Sequence, residues 1–329
     1  MLNLITDVRG LKVGHAQDLA LGSGTTVVLC ETPAVAAVDV RGGSPGTRET
    51  DLLAPAAVVE TVDALVLSGG SAFGLDAASG VMAALASQGR GFAVGPARVP
   101  IVPSAILFDL LNGGEKAWGE TPPYRSLGIA ALNTVTDGAF PLGSVGAGTG
   151  AQTATVKGGL GSASARAPTG HVVGALVAVN AFGNPLVGDG PWLRAAPYER
   201  DGEFGGRGLP AVWPDESLPR LKGLGARTNT TIAIIASDAA LTVAQARRLA
   251  VMAQDGFALG LHPAHAPQDG DCVFALATGR NPAPVTLADE TLIGATAAHV
   301  MARAIGRAIF EATALPVPGA QKAWRDLFA

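Results

Sequence analysis

The sequence is poor in charge. Only 15% of its 329 residues are charged, and 23 Lys and Arg against 27 Asp and Glu leave a formal net charge of −4. Basic residues do not cluster, since their longest run is the pair Arg247-Arg248, whereas a nucleic-acid binder carries a basic patch or stripe. An apolar fraction of 48% also excludes an intrinsically disordered chain. We therefore expect a folded domain that does not bind nucleic acid.

Cysteines and long apolar runs are also scarce. Cys30 and Cys272 are too few and too far apart for a disulfide framework or a Cys-rich zinc site, so a reducing compartment is expected. Asp7 and Arg9 come before an apolar run of signal-peptide length can develop. No stretch approaches the roughly 18 uninterrupted apolar residues of a membrane span. These absences predict a soluble, cytoplasmic protein with no membrane partner.

Glycine, by contrast, is abundant, at 44 of 329 residues, about twice its usual share of roughly 7%. Glycine and proline separate short apolar runs rich in β-branched residues, and such runs predict buried strands. The predicted strands cover 25–30, 34–40, 64–68, 172–180 and 231–236. The length fits one large domain or two closely merged halves.

Helical patterns are fewer. The sequence predicts helices over 71–87, from about Thr242, and over 286–313. The second begins with a capping-box pattern, and Thr286 begins the third with a weaker version of it. Residues 184–229 contain several prolines and no helical or strand pattern, which predicts a long, irregular, exposed excursion.

Three glycine-rich segments approximate functional motifs. Residues 42–46 read Gly-Gly-Ser-Pro-Gly, but Pro45 lacks the N–H that a serine-hydrolase oxyanion hole needs, so a turn is favoured. Residues 146–150 match no nucleotide-binding motif and favour a close approach of the backbone to another group. Residues 68–71 precede a helix whose free N–H groups either bind an anion or are capped by Ser71.

His262, His265, Asp269 and Asp271 have the residue types of a metal site. Pro263 prevents a helix from placing both imidazoles on one face, and two histidines spaced three apart in a loop are a weak signal. A solvated loop is favoured, and we expect neither a metal nor an organic cofactor.

A hydroxyl residue follows the excursion at the start of the strongest predicted strand. Thr230 comes directly after Asn229 and is followed by Thr231. A threonine acts as a nucleophile when a neighbouring base activates it or when it is an N-terminus, where its own amine takes the proton. The second route requires a cut before Thr230. By itself the triplet is also typical of an ordinary strand.

Four blocks of the sequence, in order, resemble the DmpA-type L-aminopeptidase/D-esterase family, which includes the nylon-oligomer hydrolases and the β-aminopeptidases. The blocks lie at 5–15, 67–78, 143–161 and 229–241. Their combination is specific to that family, and together the blocks extend over most of the chain.

The resemblance implies an α+β fold, a four-layer αββα sandwich like that of the N-terminal-nucleophile hydrolases. It implies one domain over 1–329 that cleaves itself between Asn229 and Thr230, giving chains 1–229 and 230–329 that stay associated. It also implies a homo-oligomer, a tetramer of such two-chain units, with no cofactor.

Site residues carry over from the nylon-oligomer enzymes by local motif. A lysine before Gly-Gly-Leu-Gly matches Lys157, an asparagine in a Val-Asn strand matches Asn180, and an Asp-x-Asp pair matches Asp269 and Asp271. The family also has a tyrosine in its catalytic pocket, but neither tyrosine of this sequence matches it securely.

Attack by the Thr230 hydroxyl on an amide develops an oxyanion that needs pre-aimed donors. The Asn180 side chain and the backbone N–H groups of Gly146, Gly148 and Gly150 are the candidates. Lys157 either lowers the hydroxyl pKa, holds the oxyanion, or is a surface lysine.

The two acids have the same ambiguity. Asp269 and Asp271 lie two apart on extended chain and would point the same way. They either orient the Thr230 ammonium, assist the first cut, or form a solvated acidic turn around Gly270.

The predicted function is that of an autoprocessed amide hydrolase, an aminopeptidase or amidase acting on N-terminal residues of small peptides, amides or esters. Because Asn-Thr at the cut is typical of the nylon-oligomer enzymes, whereas the aminopeptidases have Gly-Ser, an endo-amidase of 6-aminohexanoate oligomers is an alternative. Acyl transfer of the ornithine acetyltransferase type and an uncut small-ligand-binding protein are the others.

Overall fold

The computed structural model describes residues 1–223 and 229–329. Within them the strands are β1 (Leu11–Asp18), β2 (Ser23–Val40), β3 (Thr47–Arg48), β4 (Thr61–Ser68), β5 (Phe92–Val94), β6 (Ala97–Val99), β7 (Ser104–Ile106), β8 (Gly159–Arg166), β9 (Val172–Asn180), β10 (Thr230–Ala239) and β11 (Cys272–Asn281). The α-helices are α1 (Asp76–Ser87), α2 (Tyr124–Leu132), α3 (Val243–Ala253), α4 (Asp255–Gly260), α5 (Leu287–Phe310) and α6 (Trp324–Phe328).

The long strand β2 joins two parts of the sheet. Its first half pairs with β1 and β4, and its second half pairs with β11 and, at Ala34 and Val35, again with β4. Between the halves, residues 31–33 are exposed and the register with β4 shifts. Among the described residues the hydrogen-bonded order is β3-β7-β4-β2-β11-β10-β9-β8, with β1 beside β2, and β5 and β6 form a separate hairpin.

Three apolar cores divide the protein into four layers. The first joins α3, α4 and α5 to one face of β8–β11. The second core lies between the opposite face of β8–β11 and the sheet of β1, β2 and β4. It contains Leu176, Ile234 and Phe274 from the first sheet, and Val28 and Leu65 from the second. The third joins α1 and α2 to the outer face of β2 and β4. The predicted αββα sandwich is confirmed.

Small residues let the helix α5 approach the sheet closely. A Cβ at Gly161 of β8 would overlap the Ala304 carbonyl of α5, and one at Gly159 would overlap that of Ala308. Glycine is therefore required in β8, and the small side chains of the composition are explained by this packing.

Several predicted elements are confirmed. The strand over 172–180 is β9, the strand over 231–236 lies within β10, and 25–30 with 34–40 form one continuous strand. Thr242 and Thr286 both cap their helices, each accepting from the backbone N–H three residues later.

The excursion is less exposed than expected. Its described part, 184–223, is irregular as predicted, and its one named element is the short 3₁₀ helix Ala196–Tyr198. However, Leu186, Leu193 and Phe204 are buried in the core below α5. Irregular backbone is compatible with burial here because the side chains, rather than the main-chain groups, fill the core.

The helices in the described ranges are all too short or too polar to cross a membrane.

Candidate active site

Thr230 begins β10 at the edge of the layer between the two sheets. Ile232 and Ile234 of the same strand face that layer, and alternation places the Thr230 side chain on the same side. Thr230 lies directly opposite Asn180, the last residue of β9. Directly opposed residues of antiparallel strands have Cβ atoms about 5 Å apart. The sheet therefore brings these two predicted site residues together in a buried position.

The peptide bond between Asn229 and Thr230 is held by hydrogen bonds on its carbonyl oxygen. The Gly270 N–H donates to the Asn229 carbonyl at 3.1 Å, and the Thr230 hydroxyl donates to the same oxygen. Asn229 also forms a parallel bridge with Asp269. A donor aimed at this oxygen polarises the carbonyl and would stabilise negative charge developing on it.

Glycine is required beside this carbonyl. A Cβ at Gly270 would lie 2.9 Å from the Thr230 hydroxyl oxygen, and one at Gly42 would overlap the Asp269 carbonyl. Residues 42–46 are therefore a turn packed against the segment that holds the Asn229 carbonyl, consistent with the sequence interpretation. No sequence pattern pointed to the N–H of Gly270 as a donor.

Asp271 is buried and joins two segments by hydrogen bonds. One of its carboxylate oxygens accepts from the Thr231 N–H at 2.8 Å, and the other accepts from the His265 N–H at 2.9 Å. The His265 Nδ1 lies 3.0 Å from that second oxygen, and its ring stacks on Phe257. Asp271 thus fixes the backbone just after the Asn229–Thr230 bond.

Asp269 is also buried, and its carboxylate accepts from the Phe182 N–H at 3.2 Å. Burial, and next the charge of Asp271, raise the pKa of Asp269 to about 8. A carboxyl with a pKa near neutrality can both take and return a proton at ordinary pH. The interpretation of this pair as a solvated acidic turn is wrong, since both acids are 1% exposed.

His262 pairs by its backbone with Asn184. In the described ranges no group of three or more His, Cys, Asp or Glu is arranged to hold a metal ion.

Asn180 connects Thr230 to two further elements. Its Oδ1 accepts from the Gln152 N–H at 2.9 Å and from the Lys222 ammonium at 2.9 Å, and its Nδ2 donates to the Phe108 carbonyl at 2.9 Å. The Lys222 Nζ also donates to the Gln152 carbonyl at 3.1 Å. The predicted oxyanion donor Asn180 thus hydrogen-bonds to other groups of the protein through both atoms of its amide.

Lys157 is 1% exposed, so its interpretation as a surface lysine is wrong. Its ammonium donates to three backbone carbonyls, those of Gly148, Ala151 and Gly158, at 3.2, 2.7 and 2.9 Å. Burial lowers the pKa of Lys157 to about 7, against the opposing effect of Asp109. The ammonium anchors the loop that contains Gly146, Gly148 and Gly150.

This loop begins with the 3₁₀ helix Gly146–Gly148 and is packed against its surroundings. The Gly146 N–H donates to the Gln17 side chain at 3.2 Å, and the Gly148 N–H donates to the Val145 carbonyl at 2.9 Å. A Cβ at Gly150 would overlap the Asp109 carboxylate. The loop is thus the close approach expected from its glycines, and two of its three candidate donors are used inside the protein.

Asp109 is a buried acid that sequence reasoning did not find. It accepts from the Ser23 hydroxyl at 2.6 Å and from the Gly70 N–H at 2.8 Å, and burial raises its pKa. The anion that residues 68–71 hold is therefore a carboxylate of the chain itself, and the N-cap is Gly70, not Ser71.

The two tyrosines have other partners. Tyr124 is fully buried and donates to the Ser23 hydroxyl at 3.3 Å, whereas the Tyr198 ring lies against His299. In the described residues, neither tyrosine has a hydrogen bond or ring contact with Thr230.

Solved structures share this architecture. A β-aminopeptidase of Burkholderia sp. matches with a TM-score of 0.69 and 22% identity over 98% of this chain and 90% of that one. The L-aminopeptidase D-Ala-esterase/amidase of Ochrobactrum anthropi, described as a new variant among the Ntn hydrolase fold, matches with a TM-score of 0.69 and 20% identity over 96% and 88%. The fold is therefore that of the Ntn hydrolases.

The family follows from the sequence. The model of Peptidase family S58 matches residues 3–323, so the chain belongs to this family. An uncharacterized aminopeptidase of Mycobacterium tuberculosis is 44% identical over 99% of this chain and 98% of its own length. A 6-aminohexanoate-oligomer endohydrolase of Kocuria sp. is 28% identical over 90% and 82%. The resemblance to the DmpA-type family is confirmed, and the protein is a hydrolase of the peptidase and amidase class.

Proposed function

We propose that the chain cleaves itself between Asn229 and Thr230 and then acts, through the Thr230 hydroxyl, as an aminopeptidase or amidase on small peptides, amides or esters. The observation that carries this proposal is the Asn229 carbonyl, which receives both the Gly270 N–H and the Thr230 hydroxyl. The name of the 44% identical relative supports the aminopeptidase activity.

The first step is an attack of the Thr230 oxygen on the Asn229 carbonyl carbon. The C–N bond breaks as the nitrogen gains a proton, and the acyl group moves to the Thr230 oxygen as an ester. The Gly270 N–H stabilises the oxyanion in between. Asp269, with its raised pKa and its place beside Asn229, is suited to carry the proton. Water then cleaves the ester, leaving a carboxylate on Asn229 and a free amine on Thr230.

The second stage repeats this chemistry on a substrate. The new Thr230 amine, with an ordinary pKa of about 7.7 to 8.0, accepts the hydroxyl proton at neutral pH. The hydroxyl attacks the substrate amide, the amine product leaves, and water releases the acid. In this scheme Asp271 and Lys157 hold other groups in place. Asp271 accepts from the Thr231 N–H, and Lys157 donates to the Gly148 carbonyl of the 146–150 loop.

A second candidate function is endo-hydrolysis of 6-aminohexanoate oligomers. Two observations favour it: the 28% identical relative of that name, and the Asn-Thr pair at the proposed cut. Comparing a free-amine amino acid anilide with a 6-aminohexanoate oligomer as substrates distinguishes the two functions.

The deciding experiment compares the purified parent with Thr230→Ala and Thr230→Ser by denaturing gel, intact mass and N-terminal sequencing. At the 100 Da per residue of a 32.9 kDa chain of 329 residues, the parent is expected to give pieces of about 23 and about 10 kDa, the smaller beginning at Thr230. Thr230→Ala is expected to remain one chain, and Thr230→Ser, which keeps a hydroxyl, to be cut.

An uncut parent would overturn the proposal and favour a small-ligand-binding protein. Acetyl transfer to an added amine, in place of hydrolysis, would favour the ornithine acetyltransferase type. The proposed assembly, a tetramer of two-chain units, is tested separately by light scattering of the purified protein.

A further inference from the structure

A cavity of about 310 Å³ lies at the exposed side of α5, and none of the residues proposed for cleavage lines it. Three parts of the chain form it: α5 itself, the end of β8 at Arg166, and the excursion at Arg200. Its volume is at the lower end of the range for small-molecule sites, about 300 to 1,000 Å³. We call it the α5 cavity.

Basic side chains surround the α5 cavity. Arg166, Arg200, His299 and Arg303 line it, and no Asp or Glu is among the described residues that do so. Arg303 is neutralised by its buried ion pair with Glu203. Arg166 and Arg200 have no ion pair within the described part of the chain. Two guanidinium groups without counter-charges beside one cavity favour an anionic ligand.

Both guanidinium groups retain hydrogen-bond donors. The Arg166 Nη1 donates to the Gly170 carbonyl at 2.7 Å, which uses one of the five hydrogens of the group. The Arg200 side chain donates to no group of the described residues. Because a guanidinium binds a carboxylate through two parallel N–H bonds, this pair suits a carboxylate in particular.

The remaining wall of the α5 cavity is apolar. Leu292, Ala295 and Val300 of α5 line it, and Leu292 is 41% exposed. Thr296 adds no donor, since its hydroxyl donates to the Leu292 carbonyl of its own helix at 2.8 Å. A ligand that covers this wall removes apolar surface from water, which an inorganic anion cannot do.

We propose that the α5 cavity is a second ligand site, separate from the proposed active site, which takes an organic carboxylate with an apolar chain or ring. The carboxylate binds between Arg166 and Arg200, and the apolar part lies on Leu292 and Val300. The inference goes beyond the proposed function, because none of the residues proposed for cleavage takes part.

Such a ligand would join the excursion and the end of β8 to α5. The ring of His299 already lies against Tyr198 of the excursion, with 4.8 Å between the ring centroids. A carboxylate held by Arg166 and Arg200 adds a second link between these parts. Because the ligand binds only the folded chain, it should also raise the temperature of unfolding.

The test measures binding of 4-phenylbutyrate to the purified parent by isothermal titration calorimetry. Two comparison ligands separate the contributions: 4-phenyl-1-butanol lacks the charge, and acetate lacks the apolar body. The double variant Arg166→Gln/Arg200→Gln removes both guanidinium groups. Arg98→Gln is the matched control, since Arg98 is an arginine of β6 that donates to carbonyls of its own hairpin.

The parent is expected to bind 4-phenylbutyrate saturably at one site. The double variant should bind it about tenfold more weakly or worse, because charged hydrogen bonds are lost, and Arg98→Gln should stay within about twofold of the parent. The alcohol and acetate should each bind the parent about tenfold more weakly than 4-phenylbutyrate. No binding, unchanged binding in the double variant, or equal binding of either comparison ligand would overturn the inference.

The Thr230→Ala chain separates this site from the proposed active site. It should bind 4-phenylbutyrate as the parent does, because Thr230 does not line the α5 cavity. Loss of binding in Thr230→Ala would place the ligand at the proposed active site and overturn the inference. A parent that is never cut would remove the self-processing proposal and leave the α5 cavity standing.

Discussion

The regions around Lys157 and Lys222 contain the same chemical group in different settings. Burial lowers the pKa of both lysines to about 7. Lys157 gives all three ammonium hydrogens to backbone carbonyls of one loop and is 1% exposed. Lys222 reaches across from the excursion to an asparagine side chain and one carbonyl, and is half-buried.

The difference teaches that a shifted pKa does not define a role. A buried ammonium with three backbone acceptors holds a loop in one shape, since removing it takes a hydrogen bond from each of three buried carbonyls. The Lys222 ammonium instead joins the irregular excursion to the end of β9 and to Gln152. The hydrogen-bond partners, rather than the shifted pKa, distinguish a lysine that holds one loop from a lysine that joins two separate segments.

The largest expected effect tests this directly. In the Thr230→Ala background, Lys157→Met should lower the free energy of unfolding by about 3 kcal/mol, because three buried carbonyls each lose a hydrogen bond to a charged donor. Lys222→Met should lower it by less, by about 1 kcal/mol, because this ammonium donates to two acceptors, of which the Gln152 carbonyl belongs to a half-buried residue and the Asn180 Oδ1 keeps the Gln152 N–H. Urea denaturation of the two variants measures both losses, and equal losses would contradict the distinction between the two lysines.

A pH series sharpens the comparison, because Asp269 acts on Lys222. The pKa of Asp269 is raised to about 8 from 3.8, so the folded chain retains a proton that the unfolded chain has lost. The parent should therefore lose stability as the pH rises from about 4 to about 8, and Asp269→Asn should not. Between pH 5 and pH 8 the two profiles should diverge by on the order of 2 kcal/mol.

Urea unfolding at both pH values, again in the uncut Thr230→Ala chain, gives this divergence. Asp76→Asn is the control, because Asp76 forms an exposed ion pair with Arg125. Parallel profiles for the parent and Asp269→Asn would show that the raised pKa of Asp269 does not contribute to folding.

A smaller effect on the unfolding free energy is expected at His265, which holds Asp271. Its φ of 59° is in the left-handed region, which asparagine tolerates. His265→Asn should keep the backbone N–H bond to Asp271 and lose the ring bond, at a cost of about 1 kcal/mol. Urea denaturation measures the loss, and the rate of self-cleavage by gel should fall with it. An unchanged rate of self-cleavage would show that the ring bond of His265 to Asp271 does not contribute to cleavage.

The smallest effect is expected at the surface of the excursion. Val212 is 82% exposed, so Val212→Ser should change the unfolding free energy by less than about 0.5 kcal/mol. Phe204→Ala, in the buried part of the same excursion, is the matched comparison and should cost about 3 kcal/mol. Thermal unfolding of the Val212→Ser and Phe204→Ala variants measures both changes. Equal losses would show that the exposed part of the excursion stabilises the fold as much as its buried part does.

Sequence reasoning located the strands that are apolar on both faces. β9 and β10 are buried throughout, so their continuous apolar runs were visible. β8 was not predicted as a strand with bounds, because its sequence Gly-Leu-Gly-Ser-Ala-Ser-Ala-Arg has no β-branched or aromatic residue. Its small residues serve the contact with α5, a tertiary requirement that local propensity does not express.

In the candidate site, too, residues in sequence motifs were predicted and residues in irregular segments were not. Thr230 and Lys157 were found because they lie in two of the four blocks of sequence, and Asn180 was found from a local Val-Asn motif. Asp109 and Lys222 lie in irregular segments without a period or motif, and their importance comes from residues distant in the chain. The Gly270 N–H could not be found at all, since a backbone donor has no residue type of its own.

The strand β2 belongs to both sheets, and this continuity affects how the protein opens. Two separate sheets can separate one layer at a time, but here Val27, which is paired with β4, and Ala37, which is paired with β11, belong to one uninterrupted strand. Native-state hydrogen exchange should give these two amides the same opening free energy, as members of one cooperative foldon. The two sheets then melt as a single thermodynamic unit.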